Sequence, residues 1–321
     1  DVPQGRIDDV VVGPGGLLWV VSEHGGLCQY DPRTMRFTAW EHLAGSRDPE
    51  AFGLAHGLAP IAEDSLFAWN VSHGLVLYRP LSKQRTLIGF PDGVGASTGG
   101  RWIKRDPQRR HLLWIANKRG LFTWDLRTHH FTTHLLAEEG SMANVEGWSV
   151  DVLHFETDGS MRIGIRNRGL MRYHPLTLEW DTAVVRPSVN ISMDAHSVFS
   201  MALVPEGLCI GTSNGLQMIG RNGEVLRHVV HEPGNPHSIL PGRVFDLFVG
   251  RDGTLWASTS TGLSQWSPPQ NRFAACSISQ AVALAGKPVY TGAVETTDGL
   301  LLATSSGHGF LRMNGSGAGS M

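Results

Sequence analysis

The sequence predicts an all-β fold: a seven-bladed β-propeller with four-stranded antiparallel blades, the last blade incomplete. Three observations predict it. One stretch divides into four short β-forming runs, that stretch recurs at nearly constant intervals, and no helical periodicity intervenes between copies.

The clearest copy is residues 235–273, NPHSILPGRVFDLFVGRDGTLWASTSTGLSQWSPPQNRF. Its apolar or alternating runs, 243–248, 254–258, 263–266 and 271–273, are separated by turn chemistry. Arg251-Asp252-Gly253 supplies a glycine for a tight hairpin, and Thr261-Gly262-Leu263 makes the next turn. Ser267-Pro268-Pro269 ends the third run, because proline has no N–H to give to a ladder.

The Gly-Leu type of turn returns at Gly26, Gly74, Gly120, Gly169, Gly215, Gly262 and Gly309, in steps of 46 to 49 residues. Four residues after these glycines stand Tyr30, Tyr78, Trp124, Tyr173, Ile219, Trp266 and Met313. Six or seven residues before them lies a large or apolar position: Trp19, Trp114 and Trp256, with Ile163, Cys209 and Leu302 in weaker copies. Trp69 falls one residue out of that register, so a bulge or a shifted loop is expected in the second copy. A lone four-stranded sheet cannot bury both faces, whereas blades packed face to face can.

In chain order the units span 6–40, 51–90, 100–134, 148–183, 196–230, 243–274 and 289–321, a single propeller over 1–321. The first has Pro14-Gly15-Gly16 and Asp31-Pro32-Arg33 as its hairpins, and the third has Arg105-Asp106-Pro107. A long crossover at 135–147 carries Glu138, Glu139 and Glu146. After Gly309 the chain runs into LRMNGSGAGSM from Leu311, a Gly/Ser-rich stretch unsuited to a fourth strand. Both ends therefore read as cut, as expected of a segment of a longer protein continuing past Met321, with an expression linker as the other source of the Gly/Ser run.

Composition narrows the partners. With 27 Lys+Arg against 29 Asp+Glu in 321 residues, there is no basic stripe for nucleic acid and no acidic tail. The 41% hydrophobic content, 39 glycines and 10 tryptophans suit a large core with many turns. Three cysteines, Cys28, Cys209 and Cys276, fall in different units without C-x-x-C spacing, so neither a disulfide framework nor a redox compartment follows. No run approaches the length of a membrane span, and the chain opens without the charged and apolar regions of a signal peptide.

The sixth unit closely resembles the two-component regulator propeller repeat through Asn235, Ser238, Val244, Asp252, Gly253, Leu255, Trp256, Thr259, Gly262, Leu263 and Trp266. The first matches through Gly16, Leu18, Trp19, Gly26, Leu27, Tyr30, Asp31 and Pro32, the third and fourth match in part, and the others match weakly. The resemblance implies a sensor: such propellers form the extracytoplasmic, usually periplasmic, part of membrane-bound signalling proteins. Their output is a histidine kinase or a diguanylate cyclase, and many carry two propellers, an immunoglobulin-like domain and a transmembrane helix.

In a propeller, the loops between blades and the turns between second and third strands share one face, where ligands usually meet the protein. The second-to-third turns bring Glu23, His24, His73, Lys118, Arg168, Asn214, Thr261 and His308 there, and the starts of the first strands add Arg6, Asp8, Arg101, Trp102, Trp148, His196 and Arg243. The ligand-binding candidates among them are Arg6, His24, His73, Arg101, Trp102, Lys118, Trp148, Arg168, His196, Arg243 and His308. Arg, His and Trp together can hold an oligosaccharide, a peptide or a small anion by stacking and bidentate contacts. The competing reading takes each as a solvated turn residue, or, for Trp102 and Trp148, as packing between blades.

Metal binding is not expected from the 15 histidines: His228, His231 and His237, and likewise His129, His130 and His134, lie in outer strands or crossovers without a nearby cysteine pair, and strand geometry points His228 and His231 to opposite faces. Nor is a cofactor or catalysis. Carboxylate pairs such as Asp8 with Glu23, or Glu146 with Asp194, have no fixed separation, and His196 and His308 are the plausible bases for a lyase. There is no phosphate loop and no H-E-x-x-H. The expected function is non-catalytic ligand sensing, with a propeller carbohydrate-active enzyme or lyase, or a protein-interaction scaffold, as alternatives. A second propeller or a homodimer partner is expected as a docking partner.

Overall fold

The structure, a computed structural model, describes residues 7–22, 26–34, 36–39, 55–70, 72–82, 84–95, 100–136, 150–165, 169–185, 197–220, 223–267, 272–276, 290–295, 301–305 and 309–313. The chain divides into two compact units, Asp1–Arg162 with Tyr173–Trp180, and Ile163–Arg172 with Asp181–Met321. The fold is an all-β β-propeller built of four-stranded antiparallel blades.

In the first unit, blade one is β1 (Ile7–Val12), β2 (Leu18–Ser22), β3 (Gly26–Asp31) and β4 (Arg36–Ala39). Blade two is β5 (Ala55–Ala62), β6 (Ser65–Asn70), β7 (Gly74–Arg79) and β8 (Gln84–Gly89). Blade three is β9 (Gly100–Arg105), β10 (Leu112–Asn117), β11 (Gly120–Asp125) and β12 (His130–Leu136). Blade four, whose residues are divided between the two units, is β13 (Val150–Phe155), β14 (Met161–Ile165), β15 (Gly169–His174) and β16 (Glu179–Val185). Each blade pairs its strands in sequence order, and the first strands β1, β5, β9 and β13 run side by side.

Strand periodicity explains the packing. Along β6, Leu66 and Ala68 join Trp19, Val21 and Leu27 of blade one, while Phe67 and Trp69 join Ile103, Leu113 and Ile115 of blade three. Alternate residues thus fill two separate interfaces, which is why these strands read as continuous apolar runs. Each fully buried aliphatic side chain contributes about 1.5–3 kcal/mol to that packing.

In the second unit, blade five is β17 (Ser200–Val204), β18 (Gly207–Thr212), β19 (Gly215–Gly220) and β20 (Val225–Val229). Blade six is β21 (Val244–Val249), β22 (Leu255–Thr259), β23 (Gly262–Ser267) and β24 (Arg272–Cys276). Ala202, Cys209, Leu216 and Met218 pack on Val244, Leu247, Leu255 and Ala257 between them. The last repeat forms a three-stranded sheet of β25 (Tyr290–Glu295), β26 (Leu301–Ser305) and β27 (Gly309–Met313).

Three expectations are corrected. The glycine spacing predicts seven blades, whereas the described strands complete six four-stranded blades: the sequence past Met313 offers no β-branched or aromatic residue to a fourth strand of the last sheet. In blade two the place of Trp19 and Trp114 is taken by Phe67, not by a displaced Trp69. Each of the three stands three residues before the buried polar end of its strand, Ser22, Asn70 or Asn117. The expected irregularity is present all the same: the turn after Asn70 is one residue longer than that after Asn117, and the β5–β6 ladder shifts between Ala55 and Gly57, opposite Asn70 and Trp69, while the β6–β7 ladder is unbroken. In blade four that place holds Arg162 rather than Ile163: it is the second residue of β14, as Trp19 is of β2 and Trp256 of β22.

Candidate functional site

In blades two, three, five and six the turn between second and third strands is built on a buried polar residue at the end of the second strand, whereas β14 of blade four ends on Ile165. Asn70 Oδ1 accepts from the backbone N–H of Ser72 (2.8 Å) and His73 (2.9 Å), and Asn117 Oδ1 from Arg119 (2.7 Å) and Gly120 (3.1 Å). Thr212 and Thr259 do the same with one hydroxyl each, accepting from Asn214 and Thr261 (3.2 Å) and donating to the carbonyls of Gly215 and Gly262 (3.1 Å). Local hydrogen bonding of this kind fixes a tight turn. Each turn ends on a third-strand glycine; at Gly120, with φ of 149°, a side chain would overlap the Leu135 carbonyl.

On these scaffolds the candidates are placed as follows. His73 is half-buried, and its Nδ1–H donates to Asn70 Oδ1 (3.1 Å). Lys118 is half-buried in the turn after Asn117. Trp102, in β9, donates its indole N–H to the carbonyl of Asp151 in β13, and Lys104 Nζ lies 4.1 Å from its ring centroid. Its polar edge therefore ties the first strands of blades three and four. Arg243, just before β21, places its guanidinium carbon 4.5 Å from the Phe199 ring centroid and 5.8 Å from that of Phe245. Thr261 Oγ1 donates to Pro241 O (2.8 Å) and Asn214 N–H to Thr212, so both serve their own turns. Arg6, His24, Trp148, Arg168, His196 and His308 lie outside the described residues, as do Glu23, Glu146 and Asp194; Arg101 belongs to β9, and its side chain also lies outside them.

The opposite ends of the blades, at the hairpins between first and second strands, carry polar networks that sequence reasoning missed. Asp106, 3% exposed, accepts from the backbone of Gln108 (2.9 Å) and Arg109 (2.7 Å), from the Trp114 indole (2.9 Å) and from Arg109 Nε (3.0 Å). Burial raises its carboxyl pKa, but the donors from Arg109 and Trp114 outweigh that and hold it below the usual range. In blade four, Glu156 and Arg162 stand in the corresponding places and form an ion pair at 2.7 Å.

The histidines grouped by sequence serve separate structural ends. His134 is hydrogen-bonded to Tyr173 Oη (2.8 Å) and Thr123 Oγ1 (2.9 Å), with its ring 4.5 Å from that of Trp114. Burial, with Arg109 nearby, lowers its pKa to about 4, so it is neutral at pH 7. His129 stacks on Trp124, and His231 Nδ1–H donates to Ile239 O (2.8 Å). Among the described residues no three His, Cys, Asp or Glu side chains gather as metal ligands, and no helix is long and apolar enough to cross a membrane. Cys28 and Cys209 are buried, and burial pushes their thiols up to about 11 and about 12.

No family model and no curated protein matches the chain by sequence. Solved structures do share its fold. The extracellular domain of BT4673 from B. thetaiotaomicron, described as a hybrid two-component system, superposes with a TM-score of 0.73 at 16% identity, over 97% of this chain and 39% of that one. The extracellular domain of the hybrid two-component system BT3049 of the same organism gives 0.71 at 16%, over 96% and 39%. A streptogramin B lyase gives 0.68 at 11%, over 97% and 93%. The chain thus spans about two fifths of the length of the two-component relatives.

Proposed function

We propose that this chain is a non-catalytic, ligand-sensing propeller from the extracytoplasmic, periplasmic part of a membrane-bound signalling protein with a histidine kinase or diguanylate cyclase output. The observation that carries the reading is the propeller fold shared, over nearly the whole chain, with extracellular domains of hybrid two-component systems. The repeat resemblance centred on the sixth unit points the same way. Ligand is received at the ends of the blades where second strands turn into third strands, by the Arg, His, Lys and Trp residues placed there by sequence. Binding biases the docking of this propeller on a second propeller or a second copy, to the extent that affinity for the two arrangements differs.

A second reading has one observation in its favour: the likeness to streptogramin B lyase covers 93% of that enzyme's chain, so a propeller of this size can be a complete lyase. One experiment separates the two. The purified chain is screened by thermal shift against glycans, peptides and metal ions, with product analysis of each hit. Sensing predicts a stabilising ligand recovered unchanged; conversion of a hit establishes the enzyme reading instead.

A further inference from the structure

We propose that Arg243, set against Phe199 and Phe245, is the anion-recognising centre of a ligand site in the second unit, suited to a ligand that carries a carboxylate beside a flat apolar or sugar-ring face.

The chain builds this cluster from two adjacent blades. Phe199 immediately precedes β17, and its N–H is bonded to Gly211 O (2.9 Å). Arg243 immediately precedes β21, which packs beside β17. Val244 pairs with Thr259 and Asp246 with Ser258, so Phe245 is the extra residue of a bulge, left unopposed in the ladder next to Arg243. Bulges of this kind re-aim side chains. All three side chains are half-buried.

The backbone under Arg243 is pinned. Its carbonyl accepts from Ser260 N–H (3.1 Å), and the carbonyl of Pro241, two residues earlier, accepts from Thr261 Oγ1 (2.8 Å). The guanidinium meets aromatic rings at 4.5 and 5.8 Å, and among the described residues no carboxylate lies within ion-pair distance of it. Arg109 and Arg162, by contrast, spend their donors on Asp106 and Glu156. A guanidinium resting on a ring uses its face for that contact. The in-plane N–H donors of a guanidinium used in this way match the two oxygens of a carboxylate. The half-buried Phe rings offer the apolar platform that such a ligand's ring would cover.

The test uses the full 321-residue chain and two carboxylates, glucuronate and benzoate, each beside its uncharged counterpart, glucose and benzamide. Binding is followed by saturation-transfer NMR and titration. At least one carboxylate is expected to bind while its neutral counterpart does not. R243Q should weaken it by about tenfold or more, the loss of a charge-assisted hydrogen-bonded pair. R243K, which keeps the charge but not the planar fork, should lose most of the affinity as well, and it carries the test should R243Q fail to fold. Three results overturn the proposal: equal binding of charged and neutral probes, affinity unchanged in the Arg243 variants, or no binding of either carboxylate at millimolar concentration. The site takes its biological meaning from the sensing reading, yet the two fail separately. Conversion of a probe held by Arg243 keeps the site and removes the non-catalytic reading; a neutral ligand bound unchanged through other residues, with neither carboxylate bound, does the reverse.

Discussion

Blades three and four solve one structural problem in two ways. At the hairpin between first and second strands, the second strand must send back a side chain that closes the turn. Blade three uses a buried indole: Trp114, fully buried, donates to Asp106, which also takes two backbone N–H groups and Arg109. Blade four uses an ion pair, Arg162 on Glu156, with the two side chains 19% and 24% exposed. Blade one keeps the buried indole, Trp19, but Gly13 stands in the place of Asp106, and a Cβ there would collide with that indole. What recurs is a volume to be filled and a turn to be tied, not a residue type. The difference is energetic, since a desolvated aromatic with a satisfied N–H contributes far more than a partly solvated ion pair.

Substitutions should expose that difference. The largest effect is expected for Trp114→Ala, about 3–5 kcal/mol lost in chemical denaturation, against about 1 kcal/mol for Arg162→Ala; equal losses would erase the distinction.

Acid should act next, and on blade three in particular, because His134 packs on Trp114. Its folded pKa of about 4 lies below the unfolded 6.5, so the unfolded chain binds the extra proton first. Stability is then complete above pH 6.5 and falls as pH drops toward 4, by up to about 2–3 kcal/mol. His154, whose pKa burial also lowers, adds in the same direction. A denaturation midpoint flat over this window, or unchanged in slope by His134→Gln, would contradict the assignment.

Asp106→Ala should cost about 2 kcal/mol by stranding the buried Trp114 N–H, and Glu156→Gln less than about 1 kcal/mol. The smallest effect is expected at the opposite ends of the blades, where Asn117→Ala removes a turn cap for about 1 kcal/mol. It should be visible as faster amide exchange at Arg119 and Gly120.

The turn glycines were legible because a backbone turn imposes its own residue: Gly26, Gly74, Gly120, Gly169, Gly215, Gly262 and Gly309 each open a third strand. Strand bounds in the sixth unit came within one residue, except the end of β24, three residues later than read, because proline and Asp-Gly punctuate them. The tryptophan register misled in blades two and four, since counting from the glycine assumes turns of one length, and the turn after Asn70 is longer than that after Asn117. A charged Arg162 carried no apolar signal at all. The polar caps left a faint trace, a Ser, Asn or Thr three or four residues before the glycine. Candidate positions at strand ends could be read from spacing, but not their partners: Trp102 bonds to a carbonyl 49 residues away, and Arg243 meets Phe199 of the preceding blade. Such contacts follow from how blades stack, which no local pattern encodes.

Recognition without turnover is tested most directly by titrating a thermal-shift hit into the chain calorimetrically and recovering the ligand for mass spectrometry. The expected result is saturable binding with the ligand mass and quantity unchanged after prolonged incubation. Time-dependent loss of ligand with the appearance of a product would contradict it.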